Sequence, residues 1–212
     1  MTETAARLEG GFAEVAAGAW LMGRGQPAAF FGSAVRRRRK GFFLRDRSRL
    51  DLVETTAAAK CADARRPFLT HIPCAAPVSA ASGKVLVAPA SAWAGAQTVK
   101  VIPMSSKGSL CVTQFGEEWV VMATASRTAR IQVPDGDTVS ARPEAVVAWT
   151  GNRPTGFCPK LGLLDVLLPR GPKDLLLHFH GPCLVWIEGA MPQLSPFQLS
   201  TFNSTSRRVY GV

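Results

Sequence analysis

Between residues 84 and 189 the chain is a succession of short apolar runs: "KVLVAP", "QTVKVIPM", "SLCVTQF", "EEWVVMATA", "TARIQVP", "TVSARP", "AVVAWT", "LLDVLLP", "DLLLHFH" and "CLVWIEG". Each is rich in Val, Ile and Leu, and each is bounded by Gly, Pro, Asp or Ser. Runs of this length, closed so often by residues that break periodic structure, fit strands and leave no room for long helices. With 15 prolines and 19 glycines in 212 residues, the punctuation continues along the chain, and a hydrophobic fraction of 47% is enough to build a core. The pattern predicts an all-β fold, a single β-sandwich or double-stranded β-helix-like domain.

One connection is readable in more detail. In "ARIQVPDGDTVSAR" the alternation of Ala129, Ile131 and Val133 stops at Pro134-Asp135-Gly136-Asp137 and resumes at Val139 and Ala141. Proline presets the first turn angle and glycine accepts a positive φ, which predicts a β-hairpin. The segment 54–84, rich in Ala, Pro and Ser, reads as irregular connections.

Before the apolar runs the character differs. Leu8, Phe12, Val15, Ala19 and Met22 recur at helical spacing, interrupted by Gly10 and Gly11, which predicts a partly helical N-terminal arm. The arm ends in the densest charge of the chain: Arg36, Arg37, Arg38, Arg39, Lys40, Arg45, Arg47 and Arg49, against the single acid Asp46. In "FFLRDRSRLDLVE" the charges at 45, 47, 49 and 51 alternate, as on an edge strand. The expected organisation is a basic arm over 1–41, a sandwich over 42–195 and a tail over 196–212.

A net charge of +10 biases partners towards polyanions. Arginines neutralise phosphates without reading sequence, and they grip anionic lipid headgroups equally well. A solvated basic face or a sorting signal is the plain alternative for the same residues. Phe42 and Phe43 could stack on bases, dip into a membrane interface or enter the core.

Catalytic signatures are scarce. There is no Gly-x-Ser-x-Gly elbow, no phosphate loop and no acidic pair that stands out as general acid and base. Gly23-x-Gly25-x-x-Ala28 lacks a preceding strand, and Pro27 stands where a phosphate-cradling helix would start, so it is not a dinucleotide turn. The exception is "HFHGPCLVWIEG" at 178–189. On a strand His178 and His180 project from one face, a spacing that metal sites use, but a working site needs a third ligand and supporting partners. Cys183 near His180 is a conceivable thiolate pair, yet a small buried cysteine is the commoner case. The five cysteines are odd in number, widely spaced and without a Cys-x-x-Cys pair, and they read as reduced thiols packed as small hydrophobes. No apolar run approaches the roughly 18 to 20 residues of a spanning helix.

The segments "VLVAPASAWAGAQTVKVIPM" (85–104), "VPDGDTV" (133–139), "VVAWT" (146–150) and "GPCLVW" (181–186, with Cys183 where the pattern has glycine) together resemble the family named for altered inheritance of mitochondria, member twenty-four. The resemblance covers residues 84–190, and residues 1–60 have no counterpart in it. It implies a β-sandwich similar to the trp RNA-binding attenuation protein and no established catalytic residues, and no cofactor is expected. It also implies a mitochondrial location and a link to inner-membrane organisation. The expected role is a non-enzymatic structural or assembly component. Its partners would be protein subunits of a larger mitochondrial assembly, with RNA or anionic lipid as further candidates for the basic arm. An RNA-contacting component of a mitochondrial ribosome or respiratory complex is the alternative, and a metal-dependent β-helix enzyme using His178 and His180 is a third reading.

Overall fold

A computed structural model describes residues 7–9, 11–23, 28–31, 34–37, 50–99, 109–157 and 176–189, and these are almost entirely antiparallel β-structure. The strands in chain order are β1 (Arg7–Glu9), β2 (Phe12–Val15), β3 (Gly18–Gly23), β4 (Ala28–Phe31), β5 (Ala34–Arg37), β6 (Leu50–Thr55) and β7 (Ala59–Asp63). They continue as β8 (Phe68–Pro73), β9 (Val78–Ala81), β10 (Val85–Pro89), β11 (Trp93–Val99), β12 (Leu110–Phe115) and β13 (Trp119–Thr124). The last are β14 (Thr128–Val133), β15 (Thr138–Ala141), β16 (Val146–Thr150), β17 (Thr155–Phe157), β18 (Leu176–His180) and β19 (Cys183–Glu188). The chain divides into two compact units, one of residues 1–98 with 111–128 and the other of 99–110 with 129–212.

In the first unit a four-stranded sheet, β1-β2-β7-β4, faces a six-stranded sheet, β5-β6-β3-β10-β13-β8. Period-two alternation decides which side chains meet. On β3, Trp20 and Met22 face inward, with Val53 of β6 opposite Trp20 and Val87 of β10 opposite Met22. From the other sheet Ala13 and Val15 of β2 pair with Cys61 and Ala59 of β7, and all four enter the same core. Trp119 of β13 packs on Trp20 with ring centroids 5.8 Å apart, and the His71 ring of β8 lies 5.7 Å from that of Trp119. Within this unit β12 also pairs with β9, where the buried hydroxyls of Ser82 and Thr113 bond at 2.9 Å.

These strands correct three expectations. The N-terminal stretch is not a helical arm: β1 to β5 are members of both sheets, so no boundary at 41 separates an arm from a sandwich. The apparent helical spacing of Phe12, Val15, Ala19 and Met22 is produced by two short strands broken at Ala16 and Ala17, and Gly11 takes a positive φ of 84° that suits a turn. The segment 54–84 holds β7, β8 and β9 rather than irregular chain. Alanine and aspartate are poor strand formers by propensity, but Ala59, Cys61 and Asp63 alternate into the interior, and burial outweighs propensity. Finally, β6 lies between β5 and β3, so it is no edge strand, and Asp51 is buried.

The second unit holds two sets of strands, β15-β18-β17 and β16-β19-β14. On β18, Leu177 and Phe179 are buried, and Phe179 meets Trp149 of β16 edge-on at 5.6 Å. The expected hairpin over 129–141 is not one. Its turn exists, with the Asp137 N–H donating to the Pro134 carbonyl at 3.2 Å and Gly136 at φ 80°. Its two arms part, however: β14 lies beside β19, while β15 pairs with β18. The same divergence recurs across Gly181-Pro182, so two arches nest, one turn inside the other. Gly181 makes this possible. Its N–H donates to the Asp137 carbonyl at 3.0 Å, and a Cβ there would fall 1.7 Å from the Pro134 carbonyl oxygen.

The cysteines of the described chain are free. Burial pushes the Cys61 thiol up to about 12, a hydrogen bond from its own backbone offsetting this only in part, and the Sγ donates to Ala13 O at 3.3 Å. Burial, and then the negative charge of Glu118, raise Cys74 to about 11. Burial also raises Cys183. Because the thiolate is the reactive form, iodoacetamide at neutral pH should leave Cys61, Cys74 and Cys183 unmodified in the native protein, with Cys111 reacting first among them. Peptide mapping checks this, and native labelling of Cys61 at the rate of Cys111 would contradict the burial.

Candidate functional site

Two regions answer to the sequence-based candidates. The first is the basic run. Arg36 and Arg37 lie on β5, paired in register with Val53 and Leu52 of β6. Residues Arg38, Arg39, Lys40, Arg45, Arg47 and Arg49 fall outside the described residues. The chain leaves the end strand of the six-stranded sheet at Arg37 and returns to the neighbouring strand at Leu50, so the run joins two paired strands and is not a free N-terminal extension.

The second region is the face of β15-β18-β17. Antiparallel register sets Thr138 opposite His180 and Ser140 opposite His178, and on the other flank Thr155 opposite His178. Alternation then brings two imidazoles and three hydroxyls to one side. The rings of His178 and His180 stack at 6.5 Å with planes 17° apart. Each Nδ1 is held by a hydroxyl of β15: Ser140 Oγ at 2.9 Å from His178, and Thr138 Oγ1 at 2.9 Å from His180. The Nε2 of His180 lies 3.3 Å from Thr155 Oγ1.

This geometry does not make a chelate. Two nitrogens sharing a metal at about 2.0–2.1 Å each must approach one another closely, and parallel rings 6.5 Å apart do not bring them together. The Nε2 of His178 is also buried. Among the described residues no group of three or more His, Cys, Asp or Glu side chains is placed to hold a metal ion. Nor is a thiolate dyad assembled: Cys183 is buried on β19, His180 stands on β18 in another sheet, and both ring nitrogens of His180 are engaged by hydroxyls. Sequence reasoning found the histidines and missed their partners. The alternation in "TVSA" signals Thr138 and Ser140, but nothing local marks Thr155.

Burial lowers the pKa of His71, and burial followed by the charge of His180 lowers that of His178, both from 6.5. As pH falls, the unfolded chain takes up these protons first. The stability they contribute is therefore fully present above about pH 6.5 and is lost as pH drops through their lower folded values. Urea midpoints measured from about pH 7.5 down to about pH 5 should fall, and His71→Phe should flatten the slope. A midpoint that rises on acidification in this window would contradict the assignment.

No protein-family model and no curated protein matches the chain. Among solved structures, the crystal structure of protein SPYM3_0169 from Streptococcus pyogenes superposes with a TM-score of 0.63. The match covers 90% of this chain and 94% of that one at 11% sequence identity, a likeness of fold alone. Among the described residues no helix is long and apolar enough to cross a membrane.

Proposed function

We propose that this chain is a non-enzymatic structural or assembly component of a mitochondrial complex. It docks on an anionic surface through its basic connection and on protein subunits through its β-sheets, in a role linked to inner-membrane organisation. The supporting observation is the tethering of the basic run to two paired strands at the end of the six-stranded sheet. Fixing both ends of a charged segment limits the freedom it loses on binding, so more of its electrostatic attraction survives as affinity. The mitochondrial compartment is proposed on the resemblance of residues 84–190 to that family.

A variant with Arg36, Arg37, Arg38 and Arg39 all replaced by Ser tests this directly. Each arginine near an anionic membrane contributes about 1 kcal/mol, so binding to cardiolipin-containing vesicles should weaken by at least about tenfold. The melting temperature should change little. Undiminished binding by a folded variant would sink the docking reading.

A further inference from the structure

We propose that one rim of the six-stranded sheet faces an anionic lipid bilayer, with Phe68 entering the headgroup layer and Arg65, Arg66 and Arg127 holding phosphates beside it. Antiparallel register defines this rim. Phe68 at the start of β8 stands opposite Thr124 at the end of β13, and Val85 at the start of β10 stands opposite Met122. Met22 near the end of β3 pairs with Val87, Gly23 pairs with Leu50 at the start of β6, and Arg37 at the end of β5 pairs with Leu52. The β7–β8 turn, the β13–β14 turn and the basic connection from β5 to β6 therefore all leave the sheet on the same side.

Charge divides along the same axis. This rim collects Arg37, Arg65, Arg66, Lys84 and Arg127, while the opposite rim carries Glu54, Glu117 and Glu118. The described acids nearest the basic rim, Asp51 and Asp63, are buried. Five strand spacings of about 4.8 Å put roughly 24 Å between β8 and β5, so one flat negative surface can meet both corners.

The Phe68 corner is built before it binds. Asp63 Oδ1 accepts from the Arg65 N–H at 2.9 Å, and the Asp63 carbonyl accepts from the Arg66 N–H at 3.0 Å. Nη1 of Arg66 donates to the Gly83 carbonyl. The hydroxyl of Thr124 lies 3.2 Å from the Phe68 carbonyl and 2.8 Å from that of Ser126, which ties the start of β8 to the turn carrying Arg127. A turn fixed in this way loses little freedom on binding.

The apolar groups favour lipid. Among the described residues the exposed large hydrophobic side chains are Leu8 at 39% and Phe68 at 40%. The β1–β2 turn meets the β7–β8 turn, since a Cβ on Gly11 would lie 3.9 Å from the Pro67 carbonyl oxygen. Leu8 precedes the first of these turns, and Phe68 follows Pro67 directly. A single-stranded nucleic acid offers phosphates for the arginines and bases for Phe68, but stacking makes no use of a leucine. A bilayer presents negative headgroups with apolar chains beneath, which suits both kinds of side chain. One small apolar contact holds a membrane weakly, and a second signal makes such binding stable. The proposal thus rests on the docking reading for that second signal, the basic connection, and adds the group that inserts.

The test is flotation of the full chain with vesicles of phosphatidylcholine and cardiolipin. Phe68→Ser should weaken binding by about tenfold with little change in melting temperature. Phe68→Trp should still bind and should show tryptophan quenching by brominated acyl chains beyond that of the wild type. Full binding by Phe68→Ser, or binding by Phe68→Trp without added quenching, would overturn the insertion. If the replacement of Arg36 to Arg39 by Ser still abolished that binding, the docking reading would stand without it. Binding of polyuridylate that depends on Phe68, with no quenching on vesicles, would assign the corner to RNA and equally overturn the proposal.

Discussion

Replacing Gly181 by alanine should destabilise the protein by at least about 3 kcal/mol, lowering its melting temperature by roughly 10 °C. A Cβ at this position would lie 1.7 Å from the Pro134 carbonyl oxygen, 2.5 Å from its carbon and 2.7 Å from the Val133 oxygen, all backbone atoms that cannot rotate aside. Relieving the clash means separating the two nested turns, which also breaks the bond from the Gly181 N–H to Asp137. Gly83→Ala is the matched control. Nothing lies within 4 Å of a Cβ there, so its effect should stay within about 0.5 kcal/mol. Equal melting temperatures for the two variants would show that the arches do not nest as described.

Thr55→Val should cost about 2–4 kcal/mol although it keeps the shape of the side chain. The hydroxyl of Thr55 is the meeting point of the β3 and β6 ends. It accepts from the Trp20 indole Nε1–H at 2.9 Å and from the Gly18 N–H at 3.1 Å, and it donates to the Ala16 carbonyl at 2.8 Å. Trp20 is 3% exposed and Thr55 5%, so little water can replace what valine removes. An indole N–H left buried without an acceptor carries the desolvation penalty of that group. Thr55→Ser keeps all three bonds and should cost far less. In a double-mutant cycle with Trp20→Phe, which removes the indole donor, the two losses should overlap by about 1 kcal/mol or more. Strict additivity of the two would refute the coupling.

Much of the β-architecture was legible because strand signals are local. Val85–Pro89, Leu110–Phe115, Trp119–Thr124, Val146–Thr150 and Cys183–Glu188 each sit on an apolar run seen in the sequence. What was missed is long-range. The turn at Pro134–Asp137 was read correctly as a turn, but whether its arms pair with each other or with β19 and β18 depends on a glycine nearly fifty residues later. The alanine-rich strands β7 and β9 have almost no intrinsic preference for extended structure, and they become strands because a neighbouring sheet buries them. The N-terminal error has the same origin: short strands linked by small residues can imitate a helical period. At the histidines, alternation placed both rings on one face, while the hydroxyl partners arrive from strands about twenty-five to forty residues away. That distance is why a metal site and a hydrogen-bonded ladder could not be separated from the sequence.

The chemistry of the described surface divides in a similar way. Cys61, Cys74 and Cys183 are buried and held protonated, His178 and His180 are tied to hydroxyls, and the densest charge joins β5 to β6. In the docking proposed above, attraction to a polyanion belongs to that connection, and its salt dependence is the natural readout.

The most direct measurement is affinity purification of the tagged protein from its own cells, at low and high salt, with and without nuclease and mild detergent. Docking as proposed predicts recovery of a fixed set of mitochondrial inner-membrane proteins, unaffected by nuclease and reduced at high salt. Recovery dominated by ribosomal proteins and abolished by nuclease would contradict it and assign the basic connection to RNA.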